Sequence, residues 1–224
     1  MGSPRLAIII PAYREEETIA QVVCGASSHA AVIVVDDCSP DETALRARDA
    51  GATVVRNKVN LGYDGALSAG FAAAADGGFT HVVTLDADGE HDPRLIAAFR
   101  AVLLDRGMPL ALGVRPRKQR LAEIIMGFVI RLRFGVRDIL CGMKGYDMAL
   151  WHRNGGFDHC QSIGTELAIN ALKAGIPFEE IRVGGTPRAG APRFDRRLRA
   201  NLRILRALWR TLGAADNPLG SPVP

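Results

Sequence analysis

The chain has 224 residues, which fits one domain, and its apolar fraction of 48% argues against both disorder and a fibrous repeat. Its 28 basic and 24 acidic residues leave a net charge of +4, too mild a surplus for a nucleic-acid binder. The four cysteines, Cys24, Cys38, Cys141 and Cys160, follow no CxxC or other metal-ligand spacing and read as free thiols of a reducing compartment.

Residues 6–10 are a short β-branched run and predict a first strand, with only Arg5 before them and no signal-peptide pattern. A helix is expected over 15–23 and a strand over 32–35 that ends in Asp36-Asp37. Then follow a helix over 41–50, a strand over 53–56, an Ala-rich helix over 65–75, and a strand over 81–85 that ends at Asp86. Pro93 suits the first turn of a helix over 93–104, and 110–113 reads as a fifth strand. This alternation predicts an open α/β fold with a mostly parallel central sheet flanked by helices. Ligands of such sheets bind beyond the carboxyl ends of the strands. The polar clusters 11–15, 36–41 and 86–90 fall at those ends.

After Gly113 the texture changes. A basic stretch at 115–120 precedes a helix over 121–134 that is apolar on most faces. Its apolar run, interrupted by Gly127, is far shorter than the about 20 residues a membrane span needs. The chain is therefore expected in the cytoplasm. A helix over 164–174, a strand over 178–183, a Gly/Pro/Arg loop over 184–192 and a basic amphipathic helix over 196–212 follow. On that last helix Leu198, Leu202, Leu205, Trp209 and Leu212 share a stripe, flanked by Arg196, Arg197, Arg199, Arg203, Arg206 and Arg210. The pattern suits a helix packed on the domain or lying peripherally on an anionic membrane surface. Residues 1–195 thus form the domain, 196–212 an appended helix, and 213–224 a tail expected to be flexible.

The chemistry concentrates in Asp86-Ala87-Asp88-Gly89-Glu90. Carboxylates at Asp86, Asp88 and Glu90 supply hard oxygen ligands that suit Mg²⁺ or Mn²⁺. Such an ion would neutralise charge on a leaving diphosphate. An isolated Asp-x-Asp is more often a solvated acidic turn with Gly89 at a special backbone angle; its place at a strand end moves the reading towards a metal site. Asp36 and Asp37 can hydrogen-bond a base edge or ribose hydroxyls, and Ser39 or Asp41 can cap the next helix. In the 11–15 segment, Tyr13 can stack on a base and Glu15 bind a base edge, although a helix start explains the segment equally. Residues 60–65, NLGYDG, form a glycine-containing turn that matches neither the P-loop nor the dinucleotide fingerprint.

Taken together, IIIPAYREEETI, VIVVDDCSPDET, NLGYDGALSAG and VVTLDADGEHDP resemble, in order and spacing over 8–93, the family 2 glycosyltransferases of GT-A fold. The later segments GVR, RDILCGMKGY, ELAINALKAG and PRAGAPRF resemble the polyprenyl-phosphate, dolichyl-phosphate mannose synthase-like branch. The resemblance implies that Pro11, Tyr13, Glu15, Asp36 and Asp37 hold the nucleotide, with Asp86 and Ala87 beside it. Asp86 and Asp88 match the family's Asp-x-Asp pair. Glu90 stands where the branch often has a metal-touching glutamine. Arg115, Arg120 and Arg188 match basic residues that contact the acceptor phosphate or the diphosphate. Ala191-Pro192 departs from the usual serine. Cys141 and Lys144 lie in a stretch that approaches the donor sugar, Cys141 reading as a buried thiol. Glu166 stands where saccharide-acceptor relatives place a catalytic base. It has no Asp after it, only Leu167, and reads equally as a helix-start carboxylate near Thr165.

The expected activity is inverting transfer of one sugar from a nucleotide-diphosphate sugar to a polyprenyl phosphate. A phosphate monoester, with a second pKa of about 6, is already a nucleophile and requires positive charge rather than a base. Arg115, Arg117, Lys118 and Arg120 beside the apolar helix, with Arg188 and Arg193 around the later loop, fit that demand. The alternative is transfer to a saccharide hydroxyl with Glu166 as base. A nucleotidylyltransferase is disfavoured, because Pro11-Ala12-Tyr13 replaces its Gly-rich basic loop. A non-catalytic binding module is disfavoured by the intact carboxylates.

Overall fold

In the computed structural model, residues 3–116, 121–159 and 161–184 are described, together with Arg206 and Leu219; of residues 121–123 only the backbone is described. The β-branched runs become strands because each is covered on both faces, as parallel strands require. β1 (Leu6–Ala12) is buried along its whole length. Its alternate residues enter two cores: Ala7 and Ile9 on one face of the sheet, Ile8 and Ile10 on the other. β1 leads to α1 (Ile19–Ser27), β2 (Ala31–Asp36), α2 (Thr43–Asp49), β3 (Thr53–Arg56), α3 (Gly62–Asp76) and β4 (His81–Thr84). A 3-10 turn (Pro93–Leu95), α4 (Ile96–Arg100) and a π turn (Ala101–Asp105) then run into β5 (Leu110–Val114). The second half holds α5 (Leu121–Phe134), β6 (Lys144–Asp147), α6 (Met148–Asn154), α7 (Glu166–Lys173) and β7 (Phe178–Arg182).

Among the described residues the strands form one seven-stranded sheet in the order β3-β2-β1-β4-β6-β5-β7. β1 pairs in parallel with β2 and β4, as do β2 with β3 and β5 with β7. β6 alone runs antiparallel, between β4 and β5. The carboxyl ends of the six other strands therefore share one edge, where the polar clusters of the sequence meet. No helix among the described residues is long and apolar enough to cross a membrane.

Several elements differ from the sequence-based expectations. α1 starts at Ile19, because 15–18 form a turn in which the Thr18 and Ile19 N–H groups donate to the Glu15 carbonyl. The single helix expected over 93–104 is capped by Asp92, whose side chain accepts from Arg94 N, and ends in the π turn. β6 and α6 were absent from the sequence reading. The KGYD run of β6 has no β-branched residue, and its pairing with two neighbours makes it a strand. α6 does carry local signals: Asp147 accepts from Ala149 N, and Gly155 closes the helix at φ 72°.

Close packing ties the halves together. Phe71 of α3 stacks on Phe157 at 4.5 Å and meets Tyr146 of β6 edge-on at 5.6 Å. At Gly70 the α3 backbone lies so near the sheet that an added Cβ would stand 2.4 Å from Ile9 Cγ2 and 3.2 Å from Val35 Cγ2. Gly70→Ala is expected to cost about 1–3 kcal/mol, because both neighbours are core side chains that would have to shift. Gly184→Ala, where nothing lies within 4 Å, should change stability little. Urea denaturation of the two variants checks this; equal midpoints would mean that α3 moves off the sheet at no cost.

Candidate functional site

The site grows from the end of β4. The Thr84 hydroxyl donates to Gly142 O at 2.6 Å and accepts from Lys144 N at 3.1 Å, which holds the 142–144 segment beside the last turn of the strand. Asp86 then packs on the Gly142 backbone so closely that a Cβ there would lie 2.0 Å from its Oδ2. The Tyr63 hydroxyl donates to Asp86 Oδ1 at 3.1 Å, and His91 Nε2 stands 3.4 Å from Oδ2. Burial pushes the Asp86 carboxyl up, but the His91 and Tyr63 hydrogen bonds and the Lys144 charge outweigh it and hold it below the usual range. Burial likewise pulls His91 down, and Asp86, Asp88 and Glu90 reverse that and raise it. Its Nδ1 is buried without a hydrogen-bond partner. Tyr63 stays protonated, its pKa raised well above the ordinary value first by burial and then by Asp86.

The neighbouring carboxylates, Asp88 and Glu90, add to the negative charge that acts on His91. Asp88 Oδ1 accepts from Glu90 N at 3.1 Å around Gly89, whose φ is 75°. Ala87 is buried, and its carbonyl accepts from the Thr18 hydroxyl at 2.7 Å, which ties the start of α1 to this turn. Among the described residues no group of three or more His, Cys, Asp or Glu side chains is placed to hold a metal ion. Asp86 is drawn inward to Tyr63 and His91, while Asp88 accepts from the backbone of its own turn. The oxygen donors of Asp86 and Asp88 still fit Mg²⁺ or Mn²⁺. Mg²⁺ in particular is commonly held by one or two carboxylates with substrate phosphates and water.

At the ends of β1 and β2 the expected nucleotide residues are interlocked. Pro11 is buried in β1. Tyr13 is 38% exposed, with the Arg14 guanidinium 5.5 Å over its ring. Arg14 N donates to Ser39 Oγ, and Glu15 N donates to Thr43 Oγ1 at 2.9 Å. Asp41, rather than Ser39, caps α2 by accepting from Thr43 N. Asp36 and Asp37 are both buried. Asp36 Oδ1 accepts from Ser39 N, and Arg56 Nε approaches Oδ2 at 3.1 Å without hydrogen-bond alignment. Asp37 accepts from Asn57 Nδ2 and Leu61 N through Oδ1, and from Gly62 N through Oδ2. The adjacent carboxylates therefore have separate partners. Asp37 caps the N-terminus of α3, where a negative charge is favoured.

The second half closes on the first through Asp64, whose carboxylate accepts from Ile163 N at 3.2 Å and Gly164 N at 2.5 Å. This loop holds Gln161 and Ile163 at φ 57° and 58°, and for a β-branched residue that is a strained backbone. Asp158 fastens it by accepting from Gln161 N and Ser162 N. Buried Lys144 donates its Nζ to Gly164 O at 3.1 Å, and burial lowers its pKa against the pull of nearby Cys141, Asp86 and Asp138. Cys141 is fully buried, its thiol pushed up to about 11 by burial, as the reading of a buried thiol requires.

Arg115 forms a two-pronged pair with buried Asp138, Nε to Oδ2 at 2.8 Å and Nη2 to Oδ1 at 3.0 Å. It is therefore an oriented cation rather than a loose one. Burial raises the Asp138 carboxyl, and Arg115 outweighs this to hold it low. Glu166 is buried at the start of α7, where Oε2 accepts from His159 N at 2.8 Å and Oε1 meets His159 Nδ1 at 2.7 Å. Arg117, Lys118, Arg120, Arg188, Ala191-Pro192, Arg193, Cys160 and the 196–212 stripe lie outside the described residues, except for Arg206. The sequence reading had missed Tyr63, Asp64, His91, Asp138 and His159. Tyr63 and Asp64 lay within the noted NLGYDG turn, with partners distant in sequence, and His91 lay five residues after its partner Asp86.

The Glycosyl transferase family 2 model matches residues 7–122, and the chain belongs to that family. An uncharacterized glycosyltransferase of Mycobacterium tuberculosis is 29% identical over 227 residues, 95% of this chain and 100% of that protein. The undecaprenyl-phosphate mannosyltransferase of Micrococcus luteus is 31% identical over 160 residues, 63% of this chain and 66% of that protein. A crystal structure of glucosyl-3-phosphoglycerate synthase from Mycobacterium tuberculosis with Mn²⁺, UDP and glucosyl-3-phosphoglycerate aligns with a TM-score of 0.78. It is 23% identical, covering 95% of this chain and 81% of that one. The same synthase is also known with Mg²⁺ and UDP. The fold is thus GT-A-like: a mostly parallel sheet, with one antiparallel strand, flanked by helices.

The His159–Glu166 contact gives a pH dependence. Glu166 raises the His159 pKa, so the stabilisation is fully present below the ordinary histidine pKa of about 6.5 and is lost as pH rises through the higher folded value. Amide exchange over 159–166, corrected for its intrinsic pH dependence, is expected to quicken as pH rises from slightly acid to alkaline. In His159→Gln it should be flat. Equal profiles for the two proteins would show that the contact does not hold the loop.

Proposed function

We propose that this family 2 glycosyltransferase moves one hexose, with inversion, from a nucleotide-diphosphate sugar to a polyprenyl phosphate. The observation that carries the reading is the state of Glu166, the candidate base. Both of its oxygens are engaged by His159 at a buried helix start. An acceptor that is already ionised needs no such base, and a phosphate monoester with a second pKa of about 6 is one. Arg115, oriented by Asp138 at the end of β5, supplies a cation for an acceptor phosphate. The likeness to an undecaprenyl-phosphate mannosyltransferase supports the same acceptor class.

In this reading the nucleotide lies across the ends of β1 and β2, over Pro11, Tyr13, Glu15 and the turn after Asp36 and Asp37. Asp86 and Ala87 lie beside it. Asp88, with Asp86 and Glu90 near it, would hold Mg²⁺ or Mn²⁺, and the ion would offset charge on the diphosphate leaving group. Arg120 and Arg188 are assigned to the phosphates from the sequence. A lipid-phosphate acceptor would put the protein in the cytoplasm, peripheral on the inner face of the membrane. A saccharide or other hydroxyl acceptor is the second reading, because a buried carboxylate paired with an exposed histidine can also act as an oriented base.

The test is incubation with a panel of radiolabelled nucleotide sugars and short polyprenyl phosphates, followed by organic extraction. Label is expected in the lipid phase, and chelation by EDTA should abolish transfer. Asp88→Ala and Arg115→Ala should each lose about 10²–10³-fold, the scale of removing one electrostatic group from a transition state. Glu166→Gln should keep substantial activity. A dead Glu166→Gln, or label entering only a soluble hydroxyl acceptor, would replace the lipid-phosphate reading with the second one. Full activity in EDTA would remove the metal.

A further inference from the structure

Lys144, the first residue of β6, lies inside the molecule and is 3% exposed. Alternation along the strand puts it on the face of Tyr146, whose core includes Phe71 of α3 and Leu167 of α7. The Thr84 hydroxyl accepts from its backbone N–H, and its Nζ donates to Gly164 O at 3.1 Å. That carbonyl takes one of the three N–H donors of an ammonium. A buried ammonium is costly unless opposite charge stands near it. Asp86 and Asp138 meet that need: both act on Lys144, and its charge acts on both in return.

Asp86 is thereby offset from several sides. Tyr63 donates to Oδ1, His91 Nε2 stands 3.4 Å from Oδ2, and the Lys144 charge adds to both. The Gly142 backbone, two residues before Lys144, packs against the same carboxylate and fixes β6 beside it. Gly164 fixes the ammonium from the other direction. Its N–H donates to Asp64, and the Tyr63 ring lies so close that an added Cβ would stand 2.9 Å from Cε1. Lys144 is thus held in place and cannot swing away when a second cation approaches Asp86. The sign of each effect follows from Coulomb's law: this ammonium repels a divalent ion at Asp86 and attracts a diphosphate. Burial leaves both effects weakly screened by salt. We propose that Lys144 is a positioning residue whose fixed charge makes the filling of Asp86 and Asp88 by a divalent ion depend on the nucleotide diphosphate. The bare ion is disfavoured, and the ion accompanied by its diphosphate is admitted. The inference rests on the ion and the nucleotide of the proposed function and is independent of the acceptor.

The test is calorimetric titration of the metal-free full chain with Mn²⁺ alone and, in EDTA, with UDP and with GDP. A neutral side chain at 144 is expected to move the two affinities in opposite directions. In Lys144→Gln, Mn²⁺ alone should bind about tenfold more tightly, and the nucleotide that the wild type binds should bind about fivefold more weakly. Lys144→Arg keeps the charge and should stay within about threefold of the wild type in both. Loss of a structural anchor would weaken both together, and a glutamine amide can still donate a hydrogen bond. Opposite signs therefore separate the charge from the packing. If urea denaturation shows Lys144→Gln to be unfolded, Lys144→Met replaces it, since an apolar chain of similar size is tolerated where a buried charge stood. If that also fails, Asp138→Asn, which takes a counter-charge from Lys144 and Arg115, should reverse both signs. Either shift missing or of the wrong sign overturns the inference, as does a Lys144→Arg that follows Lys144→Gln. No binding of either nucleotide by the wild type overturns it too. Label that stays out of the lipid phase sinks the acceptor reading alone, and transfer that persists in EDTA sinks the metal reading. The titrations need no turnover and judge Lys144 by itself.

Discussion

The contact between the Asp86 carboxylate and the Gly142 backbone is the constraint on which the site depends. Four segments meet there: the end of β4, the approach to β6, Tyr63 at the start of α3, and the turn that carries His91. Any side chain at 142 would collide with the carboxylate. The antiparallel strand β6 can therefore enter beside β4 only because its approach is stripped to a glycine at this point. Thr84 locks the arrangement by bonding both Gly142 and Lys144. In exchange Asp86 is held ionised in a partly buried place, with a tyrosine hydroxyl and a histidine on its two oxygens and a buried lysine nearby.

Carboxylates elsewhere at the same sheet edge are used as anchors. Asp37 closes the 57–62 loop over the start of α3, and Asp64, two residues into that helix, reaches the backbone of 163 and 164. α3 thereby couples the half that ends β1 and β2 to the half that carries α7. The burial of Asp64 raises its pKa, and the two N–H donors oppose that rise, as expected for a carboxylate accepting backbone hydrogen bonds. The strained conformations of Gln161 and Ile163 persist because Asp64, Asp158 and Lys144 all bind the same short loop.

The two halves differ in kind. The first, 7–122, is where the family model matches, and it presents backbone turns and oxygen donors suited to a nucleotide diphosphate and a divalent ion. Beyond it lie Asp138, which orients Arg115, and the Glu166–His159 pair at the start of α7. Glycosyltransferases of one fold can share donor chemistry and differ in acceptor, because the sites are separate constructions on a common sheet.

The amino-acid sequence by itself determined the alternation of strands and helices up to Val114. Short β-branched runs and turn residues are local signals that survive without knowledge of their neighbours. It also determined the Asp-x-Asp at a strand end and the burial of Cys141, and narrowed the cap of α2 to Ser39 or Asp41. It did not reveal β6, whose four residues have weak strand preference and owe their state to β4 and β5. Spacing at a strand end pointed to Asp86, Asp88 and Glu90 as ligands of one ion, and the family resemblance to Asp36 and Asp37 as nucleotide contacts. Tertiary structure decided that Asp86 turns inward to Tyr63 and His91, and that Asp37 also caps α3. It also decided that Arg115 and Glu166 are held by Asp138 and His159. Each of those outcomes is a hydrogen bond or ion pair whose partner is set by the packing of the fold, and spacing along the chain carries no information about which carboxylate a distant donor will reach.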